Sequence, residues 1–169
     1  MVYLVNQWIL IFLQKNKTEW GIGTDCSGGN DDYDMLEEMR AAILINNTHS
    51  RESLITPKEI FDISTRLNVS RLSLNDMKGT LVSGEPADFI SIKINNSRMQ
   101  PMHDVINNIV MCASSKEVKD VFINGREVLR DDQLVTLDET KIISEGTATI
   151  TQIFNQAGFT NRVQSGEFI

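Results

Sequence analysis

The spacing of apolar positions divides the chain into a helical half and a β-rich half. Met35, Leu36, Met39, Ile43 and Leu44 recur at helical intervals, which predicts a helix starting at Asp34. Asp34 and Glu37 have the spacing of a capping box. A second helix is announced by Thr56 as cap, Pro57 at the first helical position and Glu59 three residues after the cap. Ile60, Phe61, Ile63 and Leu67 form its apolar face. Near Met77 the period falls toward two. "KGTLVSGEPADFISIKI" reads as a turn, a short strand, a Gly-Glu-Pro turn and a strand from Ala87 to Ile94. "VKDVFINGREVLR" predicts two strands joined at Asn124-Gly125, because a type I′ turn needs positive φ at both central residues.

Asp104 is placed to cap a helix running to about Cys112. A last helix is expected from Thr136, with Glu139 completing a capping box. Gly146 weakens it by about 1 kcal/mol relative to alanine. At the other end, Trp8 to Lys17 reads as a short helix or strand, and "EWGIGTD" as a short apolar strand ending at Asp25. The stretch Cys26 to Tyr33 is built of turn formers. The tail "NRVQSGEFI" shows no pattern. The order of elements is that of an α/β protein whose first part gives way to a β-meander near Lys78.

Composition narrows the class. A chain of 169 residues with 41% hydrophobic and 23% charged residues can bury a core. Its formal net charge of -7 excludes a general nucleic-acid binder, which needs a basic face. The apolar run Trp8 to Leu13 is too short to span a bilayer and lacks a basic n-region or cleavage site, so no membrane partner is expected. Cys26 and Cys112 lie far apart and outside any C-x-x-C pattern. That usage suits free thiols in a reducing cytoplasm.

Candidate chemistry concentrates in "GIGTDCSGGNDDYDMLEEMR". Neither calcium-loop register fits: from Asp25 the sixth and twelfth positions are Asn30 and Leu36, and from Asn30 they are Met35 and Ala41. Asp31, Asp32, Asp34, Glu37 and Glu38 suit a solvated helix entry, where the macrodipole favours anions. Asp25 differs, because it ends the expected strand, and strand C-terminal ends are where α/β folds build sites. His49 and His103 belong to no metal-binding pattern and read as a solvated loop residue and a helix-entry residue. Cys26 has no basic neighbour in sequence to activate it as a nucleophile. No nucleophile elbow, dinucleotide fingerprint or P-loop occurs.

"GIGTD", the acidic loop and "DMLEEMRAAIL" resemble the last barrel strand and following helix of metal-dependent amidohydrolases. The branch is the one that holds methylthioadenosine/S-adenosylhomocysteine deaminases, guanine deaminases and triazine chlorohydrolases. The likeness continues in order through "KGTLVSGEPADFISI" and "PMHDVINNIVMCASSKEVKDVFINGREVLRDDQLVTLDE", so it covers roughly Gly21 to Glu145. The resemblance implies the C-terminal part of a (β/α)8 barrel, with a small β-meander or sandwich portion and a C-terminal helix. On that reading 1–78 is a partial barrel segment, 79–137 a β-rich segment and 138–169 the helix and tail. It implies hydrolytic deamination of a purine or other nitrogen heterocycle, a small-molecule substrate, and zinc or iron in the parent enzyme. Asp25 is then both metal ligand and catalytic proton carrier.

The departures weigh as much. The family's metal site also needs an H-x-H pair and further histidines upstream of the Gly-Thr-Asp. Only about twenty residues precede that motif here, whereas a full barrel takes about 250. Cys26 stands where the family usually has glycine. The expectation is therefore the C-terminal portion of such an enzyme, inactive alone and without a stably bound metal. The alternative is a non-catalytic remnant or interaction module. Exposed barrel edges would in either case favour a homo-oligomer.

Overall fold

The computed structural model describes residues 13, 15–49, 54–72 and 79–158. They form two compact units divided between Asp132 and Gln133. The element expected over Trp8 to Lys17 lies largely outside the described residues, and the tail "NRVQSGEFI" lies wholly outside them.

In the first unit, helix α1 spans Met35–His49. Asp34 caps it, its Oδ1 accepting the N–H groups of Leu36 at 2.9 Å and Glu37 at 3.4 Å. The reciprocal half of the expected box is taken by another residue: the Asp34 N–H donates to Asp32 Oδ1 at 3.0 Å. Helix α2, Pro57–Asp62, has its box complete. Glu59 N–H donates to Thr56 Oγ1 at 3.2 Å, and Thr56 N–H donates to Glu59 Oε2 at 2.8 Å. The helix continues through a π turn, Ile63–Leu67, into α3, Asn68–Arg71. Apolar spacing carries no sign of that turn. Ser64 and Thr65 mark it, each hydroxyl donating at 2.7 Å to the carbonyl four residues back, a contact that loosens the helical ladder.

The β half holds β1 (Phe89–Ile92), helix α4 (Val105–Cys112), a 3-10 turn (Ser115–Glu117), β2 (Val118–Ile123) and β3 (Arg126–Arg130). Strand β1 pairs antiparallel with β2, and β2 with β3. Phe89 opposes Phe122, their rings stacked at 4.5 Å. Asn124 and Gly125 adopt φ of 50° and 72°, as the hairpin reading requires. Asp104 caps α4 as expected, accepting from Asn107 N–H at 2.9 Å. Strand β1 is shorter than Ala87 to Ile94. The short strand expected after Gly79 does not form: residues 80–82 carry no ladder and Leu81 is 75% exposed. An extended stretch gains little stability without a partner.

The core gathers most of the predicted helical faces, with Leu44 of α1 left 52% exposed. Leu36, Met39, Ala42 and Ile43 of α1 meet Ile55, Ile60, Ile63, Met99, Val110 and Ala113, with Trp20 and Ile22 packed against them. Two side chains tie the halves together. Arg40 donates to the carbonyls of Val110 and Ala113 at the end of α4, answering its orphan carbonyls. Asp34 Oδ2 accepts Ser115 N–H at 2.7 Å, so one carboxylate serves two turns 81 residues apart.

The second unit carries an extended pair, Gln133–Leu134, and helix α5, Glu139–Gln156. Its cap is Asp138, whose Oδ1 accepts Lys141 N–H at 3.0 Å, so the helix begins after the expected Thr136. Aspartate caps at least as well as threonine. Ile143, Ile150 and Ile153 are each exposed. No helix among the described residues is long and apolar enough to cross a membrane.

Candidate functional site around Asp25

The segment leading to Asp25 is not a strand. Residues 18–26 carry no ladder, in contrast to the expected short strand, because no neighbouring strand pairs with them among the described residues. Side chains of α3 hold it instead. Asn68 Nδ2 donates to the Ile22 carbonyl at 2.8 Å, and Arg71 donates to the Trp20 carbonyl. The approach is close at Gly21, where a Cβ would fall 1.9 Å from Asn68 Oδ1.

Asp25 itself is exposed and has φ of 61°. That left-handed conformation is uncommon outside glycine, although aspartate tolerates it better than most residues. Its Oδ1 accepts the Cys26 N–H at 2.8 Å. Its Oδ2 lies where Gly29 has no side chain, since a Cβ there would sit 2.8 Å away. The loop then closes on itself. The Cys26 carbonyl accepts the N–H groups of Gly29 and Asn30 at 2.8 and 2.9 Å. Ser27 N–H donates to the Tyr33 hydroxyl at 3.2 Å, and Asn30 Nδ2 donates to Glu38 Oε1 at 2.6 Å.

That last bond corrects one expectation. Glu38 is not part of a solvated helix entry but is 8% exposed, and it fastens the loop to α1. Asp31, Asp32 and Glu37 are exposed as anticipated. Cys26 and Cys112 are free thiols, the first exposed. His103 is exposed just before the α4 cap. His49 ends α1, and its side chain lies outside the described residues.

The donor set does not suit a metal ion by itself. Among the described residues no three His, Cys, Asp or Glu side chains converge, and a zinc site needs three or four protein ligands. Asp25 offers one carboxylate. Elsewhere, two carboxyls are perturbed for structural reasons. Burial pushes Glu117 up, but the Ser114 hydroxyl and backbone N–H, the Arg98 charge and the Asn96 amide outweigh it and hold the carboxyl low. The Ser91 hydroxyl and the Asp131 N–H hold Asp120 low.

The sequence singles out Asp25 as a candidate but not the side chains that hold its segment and loop, Asn68, Arg71 and Glu38. One signal was available. Asn68 and Arg71 stand three apart on one helical face, at a helix end with a glycine-rich segment to meet.

Comparison with known proteins completes the picture. The Amidohydrolase family profile matches residues 11–128. A 5-methylthioadenosine/S-adenosylhomocysteine deaminase from Pelotomaculum thermopropionicum is 35% identical over 137 residues, covering 80% of this chain and 31% of that protein. An S-triazine hydrolase from Gordonia rubripertincta is 31% identical over 145 residues, covering 83% and 30%. A zinc-bound adenosine deaminase from Xanthomonas campestris superposes with a TM-score of 0.79 at 24% identity, over 85% of this chain and 33% of that one. At that identity the likeness is one of fold. The chain spans about a third of the length of the curated relatives it matches.

Proposed function

The chain belongs to the amidohydrolase family, and on that premise we propose that it carries the C-terminal portion of a metal-dependent deaminase-type hydrolase, with Asp25 as its functional carboxylate. The observation behind the reading is Asp25 itself: an exposed carboxylate in a left-handed turn, its loop fastened by Cys26, Asn30 and Glu38. A group so placed can accept a proton from the attacking water and return it to the leaving amine nitrogen. The substrate class is a purine or another nitrogen heterocycle, as the names of the relatives suggest. Residues 1–78 are read as the partial barrel segment, 79–137 as the β-rich segment and 138–169 as the helix and tail.

The parent enzyme would use zinc or iron to activate water. This chain supplies one ligand toward that ion, and affinity depends on ligand number and geometry. We therefore read it as inactive alone. The test is to add zinc or iron(II) to the purified chain, measure bound metal, and follow ammonia release from adenosine and 5′-methylthioadenosine. Stoichiometric metal with turnover would overturn the reading of an inert chain.

A second reading, a self-associating module, is favoured by a separate observation. An apolar groove runs between α1, α2, α4 and β1, with Tyr33, Ile90, Ile94 and Val105 exposed along it. Exposed apolar surface of this kind promotes pairing. Sedimentation at micromolar concentration tests it, and a clean monomer would count against it.

A further inference from the structure

We propose that Asn68 and Arg71 are positioning residues for Asp25, clamping the segment that carries it in place of a strand ladder. The inference rests on the reading of Asp25 as the functional carboxylate, and it names what sets that carboxylate's place.

The geometry is that of a helix face meeting an extended edge. Asn68 and Arg71 are three residues apart, so their side chains leave the same face of α3. Their acceptors, the carbonyls of Ile22 and Trp20, are two residues apart. That is the spacing at which one edge of an extended chain repeats its acceptors. A strand neighbour would satisfy the same alternate carbonyls. Here a guanidinium and a carboxamide do so across 51 and 46 residues of sequence.

Gly21 lies between the two acceptors. A Cβ at that position would sit 1.9 Å from Asn68 Oδ1 and 3.0 Å from its Cγ, so the clamp and a side chain at 21 exclude each other. Trp20 and Ile22 also pack against the core, which fixes the segment from its other side. Only Gly23 and Thr24 separate the clamped stretch from Asp25. A shift of Ile22 therefore reaches Asp25 through two residues only. Downstream the carboxylate reports on itself, because its Oδ1 accepts the Cys26 N–H at 2.8 Å.

The experiment is carried out on the isotope-labelled full chain without metal or substrate. Asn68→Asp keeps the shape and removes the donor, Arg71→Met removes the other donor, and Arg71→Lys keeps one. The readouts are the Ile22 and Trp20 carbonyl carbon shifts, together with the shift and exchange rate of the Cys26 amide. The clamp predicts that Asn68→Asp and Arg71→Met each move the Cys26 amide signal and raise its exchange about fivefold or more. It also predicts that Arg71→Lys restores the native signal, while amides of Ile60 and Val110 keep their native exchange. An unchanged Cys26 amide in both donor-removing variants would overturn it, as would Arg71→Lys behaving like Arg71→Met. Gly21→Ala approaches the clamp from the opposite side and must reproduce the Asn68→Asp spectrum at Cys26. Should Asp25 have no part in hydrolysis, these spectra would be unaffected, so the two failures are told apart.

Discussion

The side-chain amide of Asn68 donates to the Ile22 carbonyl at 2.8 Å, and the same side chain fills the space beside Gly21. One consequence concerns packing. Gly21→Ala should destabilise the chain by about 1–3 kcal/mol, the usual cost of forcing a group into filled space. In an Asn68→Gly background the added methyl meets no carboxamide, so its cost should fall by at least half. Urea midpoints of the four proteins in this double-mutant cycle measure the coupling. Strict additivity would contradict the close contact.

Thr56 and Glu59 close both halves of the box at the start of α2. Thr56→Ala should cost about 1 kcal/mol, read as a lower urea midpoint with an unchanged slope. The equivalent test at Glu37 separates the two helices. Asp32 takes its place as acceptor of the Asp34 N–H, so Glu37→Ala should cost less than about 0.5 kcal/mol.

Ile60 is 0% exposed within the core, whereas Leu44 of α1 is 52% exposed. Ile60→Ala should cost about 2–5 kcal/mol through lost burial and the cavity left behind. Leu44→Ala should stay within about 0.5 kcal/mol. Comparable losses at both positions would show that the core is not centred where the fold places it.

Glu117 sets an acid limit. Its folded carboxyl is held below the ordinary glutamate value of 4.5 by Ser114, Arg98 and Asn96 against the opposing effect of burial. A depressed carboxyl contributes stability that is complete above the unfolded value and is lost as pH falls through the folded one. Melting temperature should therefore drop as pH is lowered from 4.5. Glu117→Gln, which cannot ionise, should lower stability at neutral pH and flatten that drop. An unaltered acid slope in Glu117→Gln would assign the loss to other carboxylates, with Asp120 the next to substitute.

The helices and the hairpin were legible because their signals are local. The Thr56–Pro57–Glu59 spacing, Asp104 before α4 and Asn124-Gly125 each fix a boundary with neighbouring residues alone. The misses are non-local. The strand expected before Asp25 and the one after Gly79 both depend on a partner to pair with, and apolar alternation does not say whether one exists. The start of α5 lies after Asp138 rather than Thr136, because both residue types cap helices and spacing alone does not choose between them. At the candidate site, Asp25 stands out by its place in the motif. Asn68, Arg71 and Glu38 do not, since each acts through a single contact between 8 and 51 residues distant.

Complementation tests the role of Asp25 in deamination. The chain is co-expressed with the upstream two-thirds of the Pelotomaculum deaminase, and ammonia release from 5′-methylthioadenosine is measured with zinc present. The mixed assembly should deaminate, and its rate should fall by at least about a hundredfold in Asp25→Asn, as loss of a general acid–base group does. Restored deamination that is indifferent to Asp25→Asn would contradict that role.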